Sequence, residues 1–230
     1  MLVLAIDTAT KIGSVALYDD KIGVIGELNL YVKINHSAVI MSMIDQLFKM
    51  TKLTIQNVDK IAITTGPGSF TGIRIGVAIA KGLCYGTKKE IVGVNELDLL
   101  AHNVEVSEGI IVPLIDARKE RVYYTIFNKN HNFERVCEYK DGEIRDILKE
   151  LIGKKPIFCG DGAIAYENII KEVLGDEYQI LSKANSIPRA AIAGQMVINQ
   201  AGDNLYNLEP FYINKSQAER EREEKLNKMN

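Results

Sequence analysis

Leu2-Val3-Leu4-Ala5-Ile6-Asp7 is an apolar run that stops abruptly on a carboxylate. It has no basic leader and is far shorter than the roughly 18 residues of a membrane span, so it reads as a first buried strand and not as a signal peptide. Gly13–Tyr18 and Val24–Tyr31 follow it across short breaks, one of them Asp19-Asp20-Lys21. The three segments read as meandering antiparallel strands. Working outward, a helical stretch over Ser37–Met50 precedes a buried strand, Lys60–Thr65, and a glycine-rich turn. A helix over Thr71–Tyr85, a strand over Ile91–Val94 and a helix over Glu96–Asn103 complete the first half. The order then repeats: strands Ile110–Ile115, Arg121–Phe127 and Phe133–Tyr139, helix Glu143–Ile152, strand Pro156–Cys159, helix Ala163–Leu174, strand Tyr178–Leu181 and helix Pro188–Gln200. Each half is βββαβαβα, which predicts a mixed sheet covered by helices. The competing arrangement is one large α/β domain whose halves merely look alike. Duplication implies domains at 1–103 and 104–216, with a tail at 217–230 whose Ala218–Lys225 stretch alternates charge and is nearly devoid of apolar residues.

Composition narrows the function classes. With 230 residues, 47% hydrophobic and 25% charged, the chain can bury a substantial core and is not a disordered protein. Its three cysteines, Cys84, Cys137 and Cys159, are odd in number and lack CxxC spacing, which argues against a disulfide scaffold or zinc site and fits reduced thiols in a cytoplasmic protein. A formal net charge of −2 offers no global field for a polyanion, so autonomous RNA capture is not expected.

Thr65-Gly66-Pro67-Gly68-Ser69-Phe70-Thr71-Gly72-Ile73-Arg74-Ile75-Gly76 carries the most specific signal, where a buried strand hands over to a helix. Gly66-Pro67-Gly68 suits a tight turn, and Ser69 or Thr71 suits a helix cap. No GK[ST] closes the loop and Lys81 lies well down the helix, so it is not a Walker A loop. Gly72, Gly76 and Ala80 recur every four residues and form one flat stripe. Interior glycines each cost about 1 kcal/mol relative to alanine, which close packing against another helix, of this chain or of a partner, would offset. In the preceding helix Ile40, Met43, Ile44 and Leu47 make a core-facing stripe, yet Val39, Met41, Phe48 and Met50 leave little polar circumference. Together the two helices point to a subunit interface, assigned to His36, Ile40, Met41, Ile44, Phe48, Phe70, Gly72, Ile73, Gly76 and Ala80.

The duplicated plan resembles the acetate kinase/actin-like ATPase superfamily (ASKHA, ribonuclease H-like), in which nucleotide binds between two related domains. Ala5-Ile6-Asp7-Thr8-Ala9-Thr10, His36-Ser37, Gly66–Gly76, Asp116–Glu120 with Val122-Tyr123, Gly160-Asp161-Gly162-Ala163 and Pro210–Ala218 occur in the order of the TsaB (YeaZ) family. This resemblance covers nearly the whole chain. It implies a non-catalytic subunit that pairs, through N-terminal-domain helices, with a TsaD-type catalytic subunit, joined by a TsaE-type ATPase. The assembly modifies adenosine 37 of tRNAs reading ANN codons, so tRNA is reached only through the complex. A homodimer is expected when the partner is missing.

The same resemblance locates the doubts about catalysis. TsaD-type proteins hold a metal through two histidines four residues apart; here His36 is followed at that distance by Ile40, and His102 and His131 are remote. Neither a metal, a cofactor nor peptidase chemistry is therefore expected. The phosphate-facing turns of the superfamily carry glycines, whereas Asp7–Gly13 has none before Gly13 and Asp116–Glu120 has none at all. Asp7, Lys11, Asp116, Gly160 and Gly162 are thus assigned to a vestigial nucleotide cleft. The alternative is a small-molecule phosphotransferase or ATPase using Asp7 and Asp116 around magnesium.

Overall fold

A computed structural model describes residues 1–32, 36–106, 108–130 and 132–214, with the side chains of His36 and Asn132 outside that description. β1 (Leu2–Asp7) is buried along its whole length, and so is β4 (Lys60–Gly66), its parallel neighbour. Continuous burial is what an apolar run without alternation dictates, because both faces of such a strand are covered. β2 (Ile12–Asp19) pairs antiparallel with β1, β3 (Gly23–Tyr31) antiparallel with β2, and β5 (Glu90–Asn95) parallel with β4. The first sheet therefore runs β3-β2-β1-β4-β5. α1 (His36–Thr51) and α2 (Phe70–Thr87) lie on one face and bury Ile40, Met43, Ile44 and Leu47 with Ile73, Val77, Ala80 and Cys84.

β6 (Gly109–Asp116) takes the place of β1 in the second sheet, whose path is β10-β7-β6-β11-β12. β7 (Arg121–Tyr124) pairs antiparallel with β6, β10 (Lys140–Glu143) antiparallel with β7, and β11 (Ile157–Cys159) and β12 (Gln179–Ile180) continue in parallel. The two sheets have one topology, that of the duplicated actin-like ATPase fold. The expected strands Arg121–Phe127 and Phe133–Tyr139 are each broken. A further hairpin, β8 (Phe127–Asn130) and β9 (Asn132–Arg135), pairs with the start of β6. The break falls at Thr125, which turns its hydroxyl to the Cys137 carbonyl at 2.7 Å, while Ile126 accepts from the Val136 amide at 2.8 Å. α4 (Ile144–Glu150) covers this sheet with α5 (Asp161–Ala165) and α6 (Glu167–Leu174). The single helix expected over Ala163–Leu174 divides at Tyr166, whose φ of −113° leaves the helical region.

The last helix of each half crosses over. α3 (Glu96–His102) buries Leu97, Leu100 and Ala101 against Ile111, Ile115, Phe127 and Ile157 of the second sheet. α7 (Ala190–Met196) buries Ala190, Ala191 and Ala193 against Val3, Ala5, Ala16 and Ala62 of the first. Lys60, almost fully buried, donates to the carbonyls of Val197 and Gln200 and so holds the end of α7 on the sheet. A boundary at 103/104 is thus a point in chain order that packing does not respect. Beyond α7, residues 203–214 form a strap that runs along the first half and ends against the second: Asp203 bonds to the β5 backbone, the Phe211 amide donates to the Thr65 carbonyl at 2.8 Å, and the Asn214 side-chain amide donates to Asp141. The charged tail expected at 217–230 lies outside the described residues.

Candidate docking face and interdomain cleft

The turn between β4 and α2 is folded against the first β-hairpin. Ser69 caps α2, its hydroxyl accepting from the Gly72 amide at 3.2 Å, while its own amide donates to the Ala9 carbonyl at 2.7 Å. Of the two capping candidates, Ser69 is the one used. The Thr8 hydroxyl donates to the Gly72 carbonyl at 2.8 Å. A Cβ on Gly72 would strike the Thr8 carbonyl, and one on Gly76 would strike the Thr8 hydroxyl and come within 3.0 Å of the Ile63 Cδ1 atom.

The Gly72–Gly76–Ala80 stripe therefore faces inward, onto β1 and the turn after it, and not onto another helix. This corrects the interface assignment. Gly72, Ile73, Gly76, Ala80, Ile40 and Ile44 are all buried within the chain's own core and offer no surface to a partner. Met41, 44% exposed, stays on the surface, and Phe48 and Phe70 are half-buried. The His36 side chain lies outside the description.

The opposite face of α2 carries a second stripe two positions out of phase: Arg74, Ala78, Gly82 and Gly86. All four are exposed, and no atom lies within 4 Å of a Cβ built on Gly82 or Gly86. Half-buried Ile75, Ile79 and Leu83 border it, with Tyr85, 72% exposed. On α1, Met41 and Met50 are also exposed, on opposite sides of that helix. Two small-residue stripes at the same spacing are present in one helix. Helical phase relative to the sheet decides which is free. The signal for the outer stripe was in the sequence, since Gly82 and Gly86 repeat the four-residue spacing.

The cleft residues lie where the two halves meet. Asp7, fully buried, accepts from the Ala9 amide at 2.8 Å and the Thr64 hydroxyl at 2.5 Å through Oδ1. Asp116 repeats this at the end of β6, accepting from the Arg118 amide at 2.8 Å and the Tyr166 hydroxyl at 2.7 Å. Asp161 accepts from the Asp116 amide at 3.0 Å. The Gly160 and Gly162 positions serve packing: a Cβ on either would run into the Leu114 backbone, so they let α5 press on β6. Lys11 is exposed at the mouth of the cleft, and its charge opposes the rise that burial imposes on Asp161. Arg118, Lys119 and Glu120 have φ of 69°, 55° and 58°, a left-handed turn without glycine.

Glu96, at the head of α3, was not singled out by sequence reasoning. Both its carboxyl oxygens and Asp7 Oδ2 are buried and lack a conventional donor. Burial, and then the charge of Asp7, pushes Glu96 well above the ordinary carboxylate range, and burial raises Asp7 as well. A proton held by Glu96 and shared with Asp7 satisfies the pair. Asp7 and Glu96 are closed off from solvent, which leaves Asp116, Asp161 and Lys11 as the charged groups of this region that solvent reaches. Among the described residues, no group of three or more His, Cys, Asp or Glu side chains is arranged to hold a metal ion. No helix among them is long and apolar enough to cross a membrane.

Residues 18–221 match the family model described as TsaD, tRNA N6-adenosine threonylcarbamoyltransferase. The tRNA threonylcarbamoyladenosine biosynthesis protein TsaB of Bacillus subtilis is 32% identical, covering 95% of this chain and 96% of that protein. TsaB of Haemophilus influenzae is 35% identical with 93% of each covered. The structure of YeaZ from Pseudomonas aeruginosa superposes with a TM-score of 0.76 at 22% identity, covering 92% of this chain and 99% of that one. End-to-end matches to TsaB proteins above 30% identity place this chain in the TsaB family, with a role in tRNA threonylcarbamoyladenosine biosynthesis.

Proposed function

We propose that the chain is a non-catalytic docking subunit. It binds a TsaD-type catalytic subunit through the outward faces of α1 and α2 and thereby supports threonylcarbamoyl transfer to adenosine 37 of tRNAs reading ANN codons. The observation that carries this reading is the open Ala78–Gly82–Gly86 stripe, flanked by exposed or half-exposed apolar side chains. Each glycine there weakens the helix by up to about 1 kcal/mol against alanine, with no packing in this chain to offset it. A helix laid against that bare backbone supplies the missing contact. The match to the TsaD family model supports a partner with the same fold.

Two observations favour docking over chemistry by this chain. Ile40, four residues after His36, is fully buried in the core. Asp7 is fully buried and engaged by Thr64 and Ala9, which leaves it no face open to a nucleotide or its metal. A TsaE-type ATPase joins the pair, and tRNA is reached through the assembled complex. Without its partner the same face closes on a second copy. Titration calorimetry of Gly82→Leu with the TsaD-type subunit is the test. Binding at least 10-fold weaker than wild type, with an unchanged circular dichroism spectrum, is expected, together with loss of modified tRNA in a reconstituted reaction. Wild-type affinity would overturn the assignment.

A further inference from the structure

At the head of the outer stripe, Arg74 is held in a cage built from chain segments far apart in sequence. Phe70, one turn earlier on α2, stacks on Tyr212 of the C-terminal strap with ring centroids 4.7 Å apart and planes 17° from parallel. The Arg74 Nε donates to the Tyr212 hydroxyl at 2.7 Å. The guanidinium carbon lies 5.5 Å from the centre of the Tyr212 ring and 6.0 Å from that of Phe70. The strap itself is clamped on α2 by Lys81, which donates to the Leu208 carbonyl at 3.0 Å and to that of Tyr206 at 3.2 Å. Arg74 is nonetheless exposed, and among the described residues its Nη1 and Nη2 groups meet no acceptor.

We infer that Arg74 is the charge anchor of the docking face and selects a partner carrying a carboxylate opposite the first turns of α2. This rests on the docking reading above and adds the chemistry of the contact. With its Nε tied to Tyr212, the guanidinium keeps both Nη groups for a carboxylate, which a guanidinium can bind through two parallel hydrogen bonds. The ordering cost of that long side chain is met within the free subunit, which is what makes a preformed contact strong. The surroundings choose between carboxylate and phosphate. Arg74 is followed along its stripe by Ala78, Gly82 and Gly86 and bordered by Ile75 and Ile79, an uncharged strip that a protein helix covers and a nucleic-acid backbone does not. The nearest lysine on α2, Lys81, is spent on the strap. Nucleic-acid surfaces instead gather several cations along a phosphate track.

Arg74→Ala, Arg74→Lys, Tyr212→Phe and Gly82→Leu, in the full chain, are titrated with the TsaD-type subunit at low and high salt. Arg74→Ala is expected to weaken binding about 10- to 100-fold with an unchanged melting temperature, and to flatten the salt dependence. Arg74→Lys recovers part of the affinity, and Tyr212→Phe, which keeps the stack and loses the acceptor, weakens binding a few-fold. If Gly82→Leu abolishes binding while Arg74→Ala matches wild type, the anchor is refuted and the docking face stands. If neither changes affinity, both fall. If Arg74→Ala leaves subunit affinity intact but weakens tRNA capture by the complex, Arg74 reads phosphate and the inference is overturned.

Discussion

Glu96 and Asp7 are carboxyls facing each other in a site closed to water, and their titration links protonation to folding. The folded value of Glu96 is raised, so the folded chain keeps a proton that the unfolded chain has already released. Its stabilising contribution is complete below the ordinary glutamate range and is lost as pH rises toward the folded value. Asp7 shifts the same way and adds to the effect, Asp161 raises Glu96 further by its charge, and Thr64 favours ionised Asp7. Glu96→Gln keeps a donor toward Asp7 and removes the titration. Its melting temperature should exceed that of the native chain by a margin that widens as pH rises above the ordinary glutamate range; parallel curves would show that the pair does not share a proton. A second pair of substitutions separates the two stripes of α2. Gly82→Ala meets open space and should stabilise the free chain by roughly 0.5–1 kcal/mol through helix propensity. Gly76→Ala drives a methyl into Thr8 and should destabilise it by about 1–3 kcal/mol. Urea unfolding of the purified variants distinguishes the opposite signs.

At the scale of elements, α2 has two jobs on two faces. Its inner face lies on β1 and β4 so closely that only glycine fits beside Thr8, and this proximity brings the Ser69 cap onto the Ala9 carbonyl. Its outer face is left bare, with a strap from the far end of the chain fixing its first turns. The periodicity of α1 and α2 was readable because core-facing residues recur at helical spacing, and both helices lie within two residues of where that pattern puts them. Which stripe pointed inward was not readable. Burial follows from the distance between the helix and Thr8, which local sequence does not encode. The broken β7–β8 strand was hidden for a related reason, since Thr125 leaves the ladder to bond Cys137, a choice made by the opposing strand.

The whole molecule is held together by exchange. α3 completes the core of the second sheet and α7 that of the first, so neither half can bury its sheet alone. A fragment of residues 1–103 lacks the α7 alanines that cover Val3, Ala5, Ala16 and Ala62, and leaves Leu97, Leu100 and Ala101 of α3 without the second sheet they pack on. Expressed alone, it should show no cooperative thermal transition by circular dichroism, and co-expression with residues 104–230 should restore one. A cooperative melt of 1–103 by itself would show that the exchanged helices are dispensable. The Asp7–Glu96 pair sits at this seam, with Glu96 opening the crossing helix.

Sequence alone determined the repeated order of elements, the family and the positions of the two strand-end acids, because periodicity, chain order and motif spacing are local properties. Tertiary structure decided the rest: which face of α2 is bare, that Glu96 meets Asp7, that Gly160 and Gly162 serve packing, and that Tyr212 cages Arg74. Those facts depend on distances between segments as far apart as 138 residues, and only the packed backbone brings such segments within reach.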